Sequence, residues 1–588
     1  MGTRMGKRLR VLPYQTDPRV RYSGGMTELT WNLEALYPGF SGRYEEDLLR
    51  LEERLEALRK RLEEKAPLLE TLSALDAYLE ALAPLSAYVH ARYAQNTLDE
   101  EALRRLSEFE GKVLGFQRLR PLLIQYLAEK DPEEAGPYRI LVEEAKKERS
   151  HQMSLPEEVL AAEMSLLARK AWAKLHESLT SQTTALLDGE EKPISAVRNL
   201  AFHKDEAVRK AAYEAELKAW ERNELPLAFA LNGVKGEAVL LNRKRGYPDD
   251  LEPTLDKNRI TRPILEALLA AMREALPLFR RYFALKAKAL GKPALDWWDL
   301  FAPLGEGRRW SYEEGMRFIV EHLARFSPAD AALAERAYRE RWIDVLPRRG
   351  KVGGAFCMGA GGERSLILTN FEESFEAVST LAHELGHAYH NFCLARRPPS
   401  LRKVPMTLAE TASILNETVV VEAALEVLPP SEGLLVLDGW LTGAAQVVVD
   451  IYSRFLFESR VFEARRAREL SGREFKELMV WAQDEAYGEA VRSRHPYMWA
   501  VKGHYYATDF YNYPYAFGLL FGLALYETYR QEKEGFLERY EDLLASSGQY
   551  KAEELGARFG FELENPEFWR KGVKVIEERV EALARRLE

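Results

Sequence analysis

The stretch His383-Glu384-Leu385-Gly386-His387 lies within the most clearly helical segment of the C-terminal half, from Phe375 to Leu394. Apolar residues recur in this segment at spacings of three and four, and Ser374 or Asn370 can cap its start. The two histidines are four residues apart, so a helix places both imidazoles on one face, where they can bind one ion. Glu384 is rotated by one residue and can contact a water molecule instead. The pattern H-E-x-x-H therefore predicts a helix with two zinc ligands and a general base.

A catalytic zinc site needs a third protein ligand, and the next predicted helix offers two glutamates. We predict one helix from Thr407 to Glu417, with Glu410 and Glu417 on roughly one face. Thr407 and Glu410 also fit a capping box, in which the glutamate only satisfies a helix N-terminus. The spacing alone leaves both glutamates open as the ligand. His390 is excluded, because it lies about 10.5 Å beyond His383 along the helix axis.

Helical periodicity extends over most of the chain, so we expect a mainly α-helical protein. One interruption contains Asp188-Gly189, between two strand-like segments, Thr183 to Leu187 and Ile194 to Val197, which predict a small hairpin. We place the main division near this point. The expected organisation is an N-terminal helical lobe over residues 1–195 and a second domain over residues 196–588 that carries the H-E-x-x-H helix.

A glycine-rich loop, Arg348 to Gly362, precedes the metal-binding helix and is followed by a predicted strand, Ser365 to Phe371. One interpretation is a surface loop with a short structural strand. The other is an edge strand whose free side pairs with an extended peptide. The order along the chain, with the strand directly before the metal motif, favours the second interpretation.

The composition excludes several classes of protein. A formal net charge of -9 and a sequence pI of about 5.8 argue against nucleic-acid binding, which needs clustered Lys and Arg. Only two cysteines occur, which favours a reducing, cytoplasmic compartment. The basic start, Met1 to Arg10, is not followed by an apolar run and does not predict a secretory signal. The apolar stretch Phe517 to Tyr526 is shorter than the ~20 residues that span a bilayer, so we expect no membrane partner.

Several motifs together resemble oligoendopeptidase F, in the thimet oligopeptidase group of zinc metallopeptidases. They run from near the N-terminus to residue 518, so the resemblance covers most of the chain. The motifs are Trp31 to Gly39, Gly353-Gly354-Ala355-Phe356-Cys357, Thr380 to His390, Ala409-Glu410-Thr411-Ala412-Ser413, His504-Tyr505-Tyr506, and Phe510 to Gly518.

This resemblance implies a helical clamshell with a deep central channel, a small β-sheet near the zinc helix, and one Zn²⁺ ion. His383, His387 and Glu410 match the metal ligands of that group, and Glu384 matches its catalytic glutamate. Glu410 is thereby favoured over Glu417, which becomes a hydrogen-bond partner of the site. The resemblance also implies cleavage of short peptides in preference to folded proteins.

His504, Tyr511 and Tyr515 match the segment from which that group draws groups that stabilise the transition state. The spacing gives an independent argument: Tyr511 and Tyr515 are four residues apart and can point into one cleft if the segment is helical. In such a helix Tyr513 would face elsewhere, and Pro514 could bend the helix. The alternative is a buried aromatic stripe in which each hydroxyl has an ordinary partner. His495 and Tyr497 could line the same cleft.

We therefore expect a zinc-dependent endopeptidase that hydrolyses short peptides through a metal-activated water, with Glu384 as general base and Gly353 and Gly354 in contact with the substrate. A zinc metallocarboxypeptidase of similar helical fold is the alternative. A silent peptide-binding or structural-zinc protein is disfavoured, since a structural site usually has four ligands and neither Cys357 nor Cys393 has a partner at suitable spacing. The oligomeric state is left open.

Overall fold

The computed structural model describes residues 29–588, and most of this range is α-helical, which confirms the expected fold class. The expectation for Met1 to Arg10 lies outside the described residues. The helices before the metal motif are α1 (Arg43–Glu63), α2 (Leu68–Gln95), α3 (Glu100–Ala128), α4 (Arg139–Ser150), α5 (Leu155–Leu167), α6 (Arg169–Gln182), α7 (Ile194–Asn199), α8 (Glu206–Arg222), α9 (Glu224–Lys244), α10 (Glu252–Lys257), α11 (Arg262–Ala289), α12 (Tyr312–Phe326) and α13 (Pro328–Arg339).

The metal motif opens the second series of helices. They are α14 (Phe375–Leu394), α15 (Met406–Ala409), α16 (Thr411–Val427), α17 (Pro430–Ala445), α18 (Ile451–Arg465), α19 (Gly472–Tyr487), α20 (Met498–Val501), α21 (His504–Ala507), α22 (Tyr513–Glu532), α23 (Phe536–Ser546), α24 (Ala552–Phe559) and α25 (Pro566–Leu587). Helix α14 has a side-chain cap, since Ser374 Oγ accepts a hydrogen bond from Ala377 N at 3.2 Å.

The predicted hairpin forms, but its second strand was placed wrongly. Strand β1 (Thr184–Leu187) pairs antiparallel with β2 (Glu190–Pro193). Asp188 and Gly189 both have positive φ, 56° and 79°, so the turn needs only these two residues and the strand resumes at once. Ile194 to Val197, predicted as the second strand, instead begins α7.

A three-stranded sheet lies beside α14, as the resemblance implied. It contains β3 (Ile343–Asp344), β4 (Phe356–Gly359) and β5 (Ser365–Leu368), in the order β3-β5-β4, with β3 parallel and β4 antiparallel to β5. The prediction of an edge strand over Ser365 to Phe371 is wrong. β5 is the central strand and is buried along its length, because its apolar run packs on both faces. Among the described residues, the edges of this sheet are β4 and the two-residue β3, and β4 is the longer free edge.

The apolar core consists of several clusters. The largest contains α14, α16, α22 and α25. Helices α1 to α4 contribute to two smaller clusters, one of which also includes Leu366 and Leu368 of β5. Another cluster joins Ala185 and Leu187 of the hairpin to Trp220 and Phe475. The domain division predicted at residue 195 falls inside this cluster, because residues before and after position 195 contribute to it. The division stays a prediction.

One long helical stretch has the length and apolar composition of a membrane span. Within residues 29–588 it is Pro430–Arg465, formed by α17, a π-helical turn at Gln446–Asp450, and α18. In its most apolar window 56% of the residues are buried inside the protein, and the core helix of a soluble protein passes the same test. The apolar stretch that the sequence drew attention to, Phe517 to Tyr526, lies in α22 and is almost entirely buried.

Candidate metal centre and active site

Helix α14 presents its two histidines on one side and its apolar residues on the other. Val378, Leu381 and Leu385 are buried in the core, which fixes the rotation of the helix about its axis. His383 and His387 therefore lie one turn apart, with ring centroids 5.0 Å apart. Each histidine is partly exposed, so both rings border accessible space.

Gly386 allows a second helix to approach α14 closely. A Cβ atom at this position would lie 2.6 Å from the backbone oxygen of Ala412 and 2.6 Å from Cα of Ser413. Since these are backbone atoms, no side-chain movement could relieve the clash. The start of α16 is thus brought against the face of α14 between His383 and His387.

The contact between α14 and α16 places Glu410 next to the two histidines. It occupies the junction between α15 and α16, so the single helix predicted from Thr407 to Glu417 is interrupted there. Its Oε2 atom lies 3.1 Å from Nε2 of His383 and 3.3 Å from Nε2 of His387. The hydroxyl of Ser413 donates to the same oxygen at 2.7 Å and orients the carboxylate.

The two alternatives for these glutamates are now distinguishable. The Thr407 hydroxyl donates to the backbone oxygen of Asn258 at 2.9 Å, and the Glu410 carboxylate faces the histidines, so the capping box is not formed. Glu417 Oε2 lies 3.1 Å from Nδ1 of His383, the nitrogen opposite the one near Glu410. Glu417 thus orients His383, an arrangement that fixes the tautomer of metal-binding histidines.

The donor atoms fit a catalytic zinc ion. Ligand atoms of His383, His387 and Glu410 all lie within 4.8 Å of one another, and two imidazole nitrogens with one carboxylate are an established zinc set. Burial raises the pKa of Glu410, but hydrogen bonds from His383 and His387 outweigh it and hold this pKa well below its usual range. These hydrogen bonds require protonated Nε2 atoms, whereas a metal ion would need the carboxylate ionised and both imidazoles neutral.

Glu384 faces the same space with an unpartnered oxygen. The residue is only 6% exposed, and its Oε2 atom is buried without a hydrogen-bond partner. Burial raises the pKa of Glu384, which increases its affinity for a proton. A buried orphan carboxylate oxygen next to a ligand set fits a group whose partner is a water molecule or substrate.

A second acidic cluster in the described residues does not resemble this centre. Glu206, Asp296 and Asp299 also have ligand atoms within 4.8 Å of one another. Lys292 Nζ donates to Asp296 Oδ2 at 3.0 Å and to Asp299 Oδ2 at 2.5 Å, and also to Glu206. The lysine ammonium already occupies the position of a cation, so these carboxylates form an ion-pair cluster.

Tyr515 faces the metal centre from the first turn of α22. Gly518, three residues later on the same side, lies so close to Glu410 that an added Cβ would be 2.8 Å from the Glu410 Cβ. Burial raises the pKa of Tyr515, and a hydrogen bond with Tyr511 and the charge of Glu410 raise it further. The phenol thus stays protonated and able to donate.

Tyr511 and His504 adjoin Tyr515. The Tyr515 hydroxyl donates to that of Tyr511 at 3.2 Å, and the Tyr511 ring stacks on His504 with centroids 4.6 Å apart. Burial lowers the pKa of His504, and the positive charges of Arg454 and Lys502 lower it further. His504 is therefore a neutral imidazole at pH 7. The three predicted side chains are brought together in one group.

Parts of the sequence-based description of this segment are wrong. Tyr511 precedes α22 and lies in a loop, because the helix begins only at Tyr513. Pro514 is in the first turn, where its missing N–H costs nothing, so it starts the helix and does not bend it. Tyr513 does face elsewhere, as expected, and its hydroxyl donates to the backbone oxygen of Thr254 at 3.1 Å.

Three other candidates lie away from the centre. His495 is 1% exposed and its Nε2 lies 3.2 Å from Glu216, whereas the Tyr497 hydroxyl donates to Glu224 at 3.0 Å. Tyr497 is thus held by a partly buried glutamate, whereas His495 has only the ionic contact with Glu216, because neither of its ring nitrogens makes a hydrogen bond. His390 is buried and its Nε2 lies 2.7 Å from the Ser547 hydroxyl, consistent with its exclusion from the ligand set.

The predicted substrate-binding glycines lie at the start of the free sheet edge. Gly353 and Gly354 are exposed and immediately precede β4, and a Cβ added to either would meet no atom within 4 Å. Asn370 Nδ2 holds the loop by donating to the backbone oxygen of Gly354 at 2.9 Å. Burial raises the pKa of Cys357 in β4, and the charge of Glu384 raises it further, so this strand lies near Glu384.

Comparison with known proteins identifies the family of this chain. The model of peptidase family M3 matches residues 199–575, which include every side chain described above in the metal centre. The chain belongs to peptidase family M3. This membership confirms the resemblance drawn from the motifs, and M3 peptidases are metallopeptidases.

Individual relatives extend the M3 match to most of the chain. Oligopeptidase PepF of Bacillus subtilis is 27% identical over 95% of this chain and 87% of its own length. A crystal structure from Chlamydophila abortus covers 96% of this chain and 99% of its own, with a TM-score of 0.83 and 21% identity. Oligoendopeptidase-F from Enterococcus faecium covers 92% and 99%, with a TM-score of 0.65 and 19% identity. The two structures share the fold of this M3 peptidase.

Sequence reasoning missed the residues that hold the M3 centre in place. Ser413 was part of a recognised motif, but its hydrogen bond to Glu410 was not anticipated. Arg454 donates to Asn512 Oδ1 at 2.9 Å and also to Asp450, and thereby anchors the residue after Tyr511. The spacing of Glu410 and Ser413 was a usable local signal, whereas Arg454 lies 58 residues from Asn512 and offered none.

Proposed function

We propose that this M3 peptidase is a zinc-dependent endopeptidase for short peptides, with one zinc ion held by His383, His387 and Glu410. The observation that carries the proposal is the convergence of these three ligand atoms next to the unpartnered carboxylate oxygen of Glu384. The oligopeptidase and oligoendopeptidase names of the relatives support the choice of substrate. Two free cysteines, Cys357 and Cys393, support a cytoplasmic location.

A zinc ion bound by these side chains supplies Lewis acidity, which activates a water molecule and polarises the scissile carbonyl. Glu384 accepts the proton of the attacking water on its buried carboxylate and then transfers it to the leaving amine. The residue is buried and its Oε2 atom has no protein partner, so this oxygen is available to accept the proton and to return it. Glu417 holds His383 in the orientation that the reaction requires.

The tyrosine group acts on the charge that develops at the carbonyl oxygen. Tyr511 and Tyr515 have adjacent hydroxyls at the metal centre. Tyr511, which accepts from Tyr515, would donate its own proton to the oxyanion, and Tyr515 would donate to it after turning its proton away from Tyr511. His504, a neutral imidazole stacked on Tyr511, holds that ring and offers a further donor. The two tyrosine rings are in place before the reaction, so only the Tyr515 hydroxyl has to rotate, and a small reorganisation favours catalysis.

The free edge of β4 would bind the substrate backbone. An extended peptide can add to an exposed strand through main-chain hydrogen bonds, largely independent of its side chains. Gly353 and Gly354, which lead into β4, leave room for a close backbone approach. The strand runs beside α14, so a peptide on this edge passes the metal centre.

Zinc analysis coupled to peptide hydrolysis tests the proposal. We expect one zinc per chain and cleavage of a fluorogenic peptide that is blocked at both ends, with activity lost on chelation and restored by zinc. His383→Ala should lose the metal, whereas Glu206→Gln, in the acidic cluster occupied by Lys292, is the matched control and should keep it. Cleavage of unblocked peptides only, from the C-terminus, would establish the carboxypeptidase alternative instead.

A further inference from the structure

The loop between α21 and α22 contains a backbone conformation that bulky residues rarely adopt. Phe510 has a φ of 47°, in the left-handed region. Such a conformation persists only where the surroundings over-determine it, and these residues concentrate at functional sites. Phe510 directly precedes Tyr511. Whatever holds Phe510 therefore also sets the direction of the Tyr511 side chain.

Four charged side chains form one hydrogen-bonded cluster at this loop, which we call the loop clamp: Arg169, Lys235, Glu458 and Asp509. Lys235 Nζ donates to Glu458 Oε1 at 2.6 Å and to Asp509 Oδ1 at 2.8 Å. Arg169 Nη1 donates to Asp509 Oδ2 at 2.9 Å. Two cations and two anions alternate along this chain of contacts, so no member is left as an isolated charge.

The loop clamp is joined to Phe510 through the backbone. Phe510 N donates to Glu458 Oε1 at 3.0 Å, the same oxygen that accepts from Lys235. The side chains of Lys235 and Glu458 are 1% and 3% exposed, so water cannot replace these bonds cheaply. The Phe510 ring stacks on Phe462 with centroids 5.2 Å apart. Charge and packing together fix the conformation.

The members of the loop clamp come from distant parts of the chain. Arg169 is the first residue of α6, Lys235 lies in α9 and Glu458 lies in α18, whereas Asp509 belongs to the loop itself. Asp509 and Phe510 are therefore tied to three separate helices immediately before Tyr511. Ion pairs this deeply buried contribute little net stability and are kept in some proteins because they specify one conformation.

We propose that the loop clamp is a set of positioning residues for peptide hydrolysis, which directs the Tyr511 hydroxyl at the metal centre through the Phe510 backbone. This inference rests on the proposed function, since it requires that Tyr511 act in the reaction. No clamp residue needs to touch the substrate. Disrupting the clamp should therefore reduce kcat, while KM and zinc content stay close to those of the unaltered protein.

Two variants of Glu458 separate positioning from charge. Glu458→Met removes the acceptor of the Phe510 amide, and we expect kcat to fall by roughly 10- to 100-fold, as for other small misplacements of catalytic groups. Glu458→Gln keeps an oxygen acceptor at the same place and should retain most of kcat. Arg169→Met, at a more exposed member of the clamp, should reduce kcat less and serves if Glu458→Met does not fold.

Asp438 offers a matched control. Like Glu458 it is buried, and its Oδ2 accepts from a buried lysine, Lys286, at 3.1 Å and from a backbone amide, Leu304 N, at 3.3 Å. Leu304 lies outside the tyrosine loop. Asp438→Leu should therefore lower the melting temperature about as much as Glu458→Met does, yet leave kcat within about threefold of the unaltered protein.

A double-mutant cycle with Tyr511→Phe decides whether the clamp acts through the hydroxyl. If it does, Glu458→Met lowers kcat strongly in the parent but by less than about threefold once the hydroxyl is gone. An equal loss in both backgrounds, or an unchanged kcat in the parent, would overturn the proposal. Amide hydrogen exchange adds a reading without substrate: exchange at Phe510 and Tyr511 should accelerate in Glu458→Met and not in Glu458→Gln.

These measurements also separate the two proposals. A parent protein that binds zinc but does not cleave the blocked peptide contradicts the proposed function, and the exchange data then still test whether the clamp holds the loop. An active parent in which Glu458→Met behaves like Asp438→Leu contradicts only the positioning proposal.

Discussion

The metal centre and the tyrosine loop hold their functional side chains by different means. In the metal centre His383 and His387 are four residues apart on α14, and Glu410 is carried to them by the close contact of α16 at Gly386. In the tyrosine loop, Tyr511 lies outside any helix and follows a residue with positive φ. Regular secondary structure determines the first arrangement, and contacts from distant helices determine the second.

This difference predicts different responses to mutation. Removing a ligand from a rigid helix pair should remove the metal and leave the helices in place. Removing an anchor from the loop should leave the metal in place and misdirect a hydrogen-bond donor. Substitutions in the two regions can therefore be separated by measuring zinc content, kcat and stability on the same variants.

The largest effect is expected from Glu410→Ala, which removes the third ligand. If a four-ligand zinc site is worth about 10 to 16 kcal/mol, each ligand contributes about 10²- to 10³-fold in affinity. We expect zinc to dissociate on dialysis and hydrolysis to be lost, while circular dichroism remains helical. Titration with a competing chelator measures the affinity, and zinc retention equal to that of the unaltered protein would exclude Glu410 as a ligand.

A smaller effect is expected in the tyrosine loop. Tyr511→Phe and Tyr515→Phe each remove one donor to the oxyanion and should lower kcat by about 10²- to 10³-fold, with full zinc content. Tyr513→Phe is the control within the same segment, because its hydroxyl bonds to Thr254 and faces away from the metal. A Tyr513→Phe enzyme as impaired as the other two would show that the effect is structural.

Glu417→Ala tests the metal centre more finely. This variant keeps all three ligands and removes only the acceptor at His383 Nδ1. Such partners are typically worth about 10- to 100-fold in metal affinity, so zinc binding should weaken but persist at micromolar zinc. If Glu417→Ala loses zinc completely while Glu410→Ala keeps it, the two glutamates have been assigned in the wrong order.

The smallest effect on activity is expected behind the ligand helix, at Asp330. Burial raises the pKa of this fully buried carboxyl to about 8, opposed by Asn416 of α16. The folded chain keeps the Asp330 proton that the unfolded chain releases near pH 4. Its contribution to the free energy of unfolding is therefore complete below pH 4 and is lost as the pH rises toward 8.

Asp330→Asn removes this titration. The urea midpoint of the variant minus that of the unaltered protein should therefore increase from pH 5 to pH 8. The increase should correspond to roughly 1 to 3 kcal/mol in the free energy of unfolding. Zinc content and kcat should not change, since the carboxyl does not contact a ligand. A stability difference that is the same at both pH values would show that Asp330 is ionised in the folded protein.

Much of the metal centre could be predicted because its geometry follows from short spacings. A helix converts the four-residue spacing of His383 and His387 into a shared face, and no distant residue is needed for that step. Glu410 could be named as one of two candidates but not chosen from spacing, since the contact at Gly386 decides the choice. The break between α15 and α16 was missed because nothing in the local sequence signals it.

The remaining errors have the same origin. The order β3-β5-β4 depends on pairing between segments more than 20 residues apart, so the strand predicted as the edge proved to be central. Likewise, Phe510 has a left-handed conformation and its amide donates to Glu458, a residue 52 positions away, to which the local sequence gives no clue. Helical periodicity predicted the fold class well because it is a local property.

Glu384→Gln tests the central claim most directly. This substitution preserves the size of the side chain and a carbonyl oxygen but removes the carboxylate that accepts the proton. We predict one zinc per chain, unchanged binding of a short blocked peptide, and a kcat lowered by about 10³-fold or more. A Glu384→Gln enzyme that keeps zinc and hydrolyses the peptide within about tenfold of the unaltered rate would contradict the assignment of Glu384 as the general base.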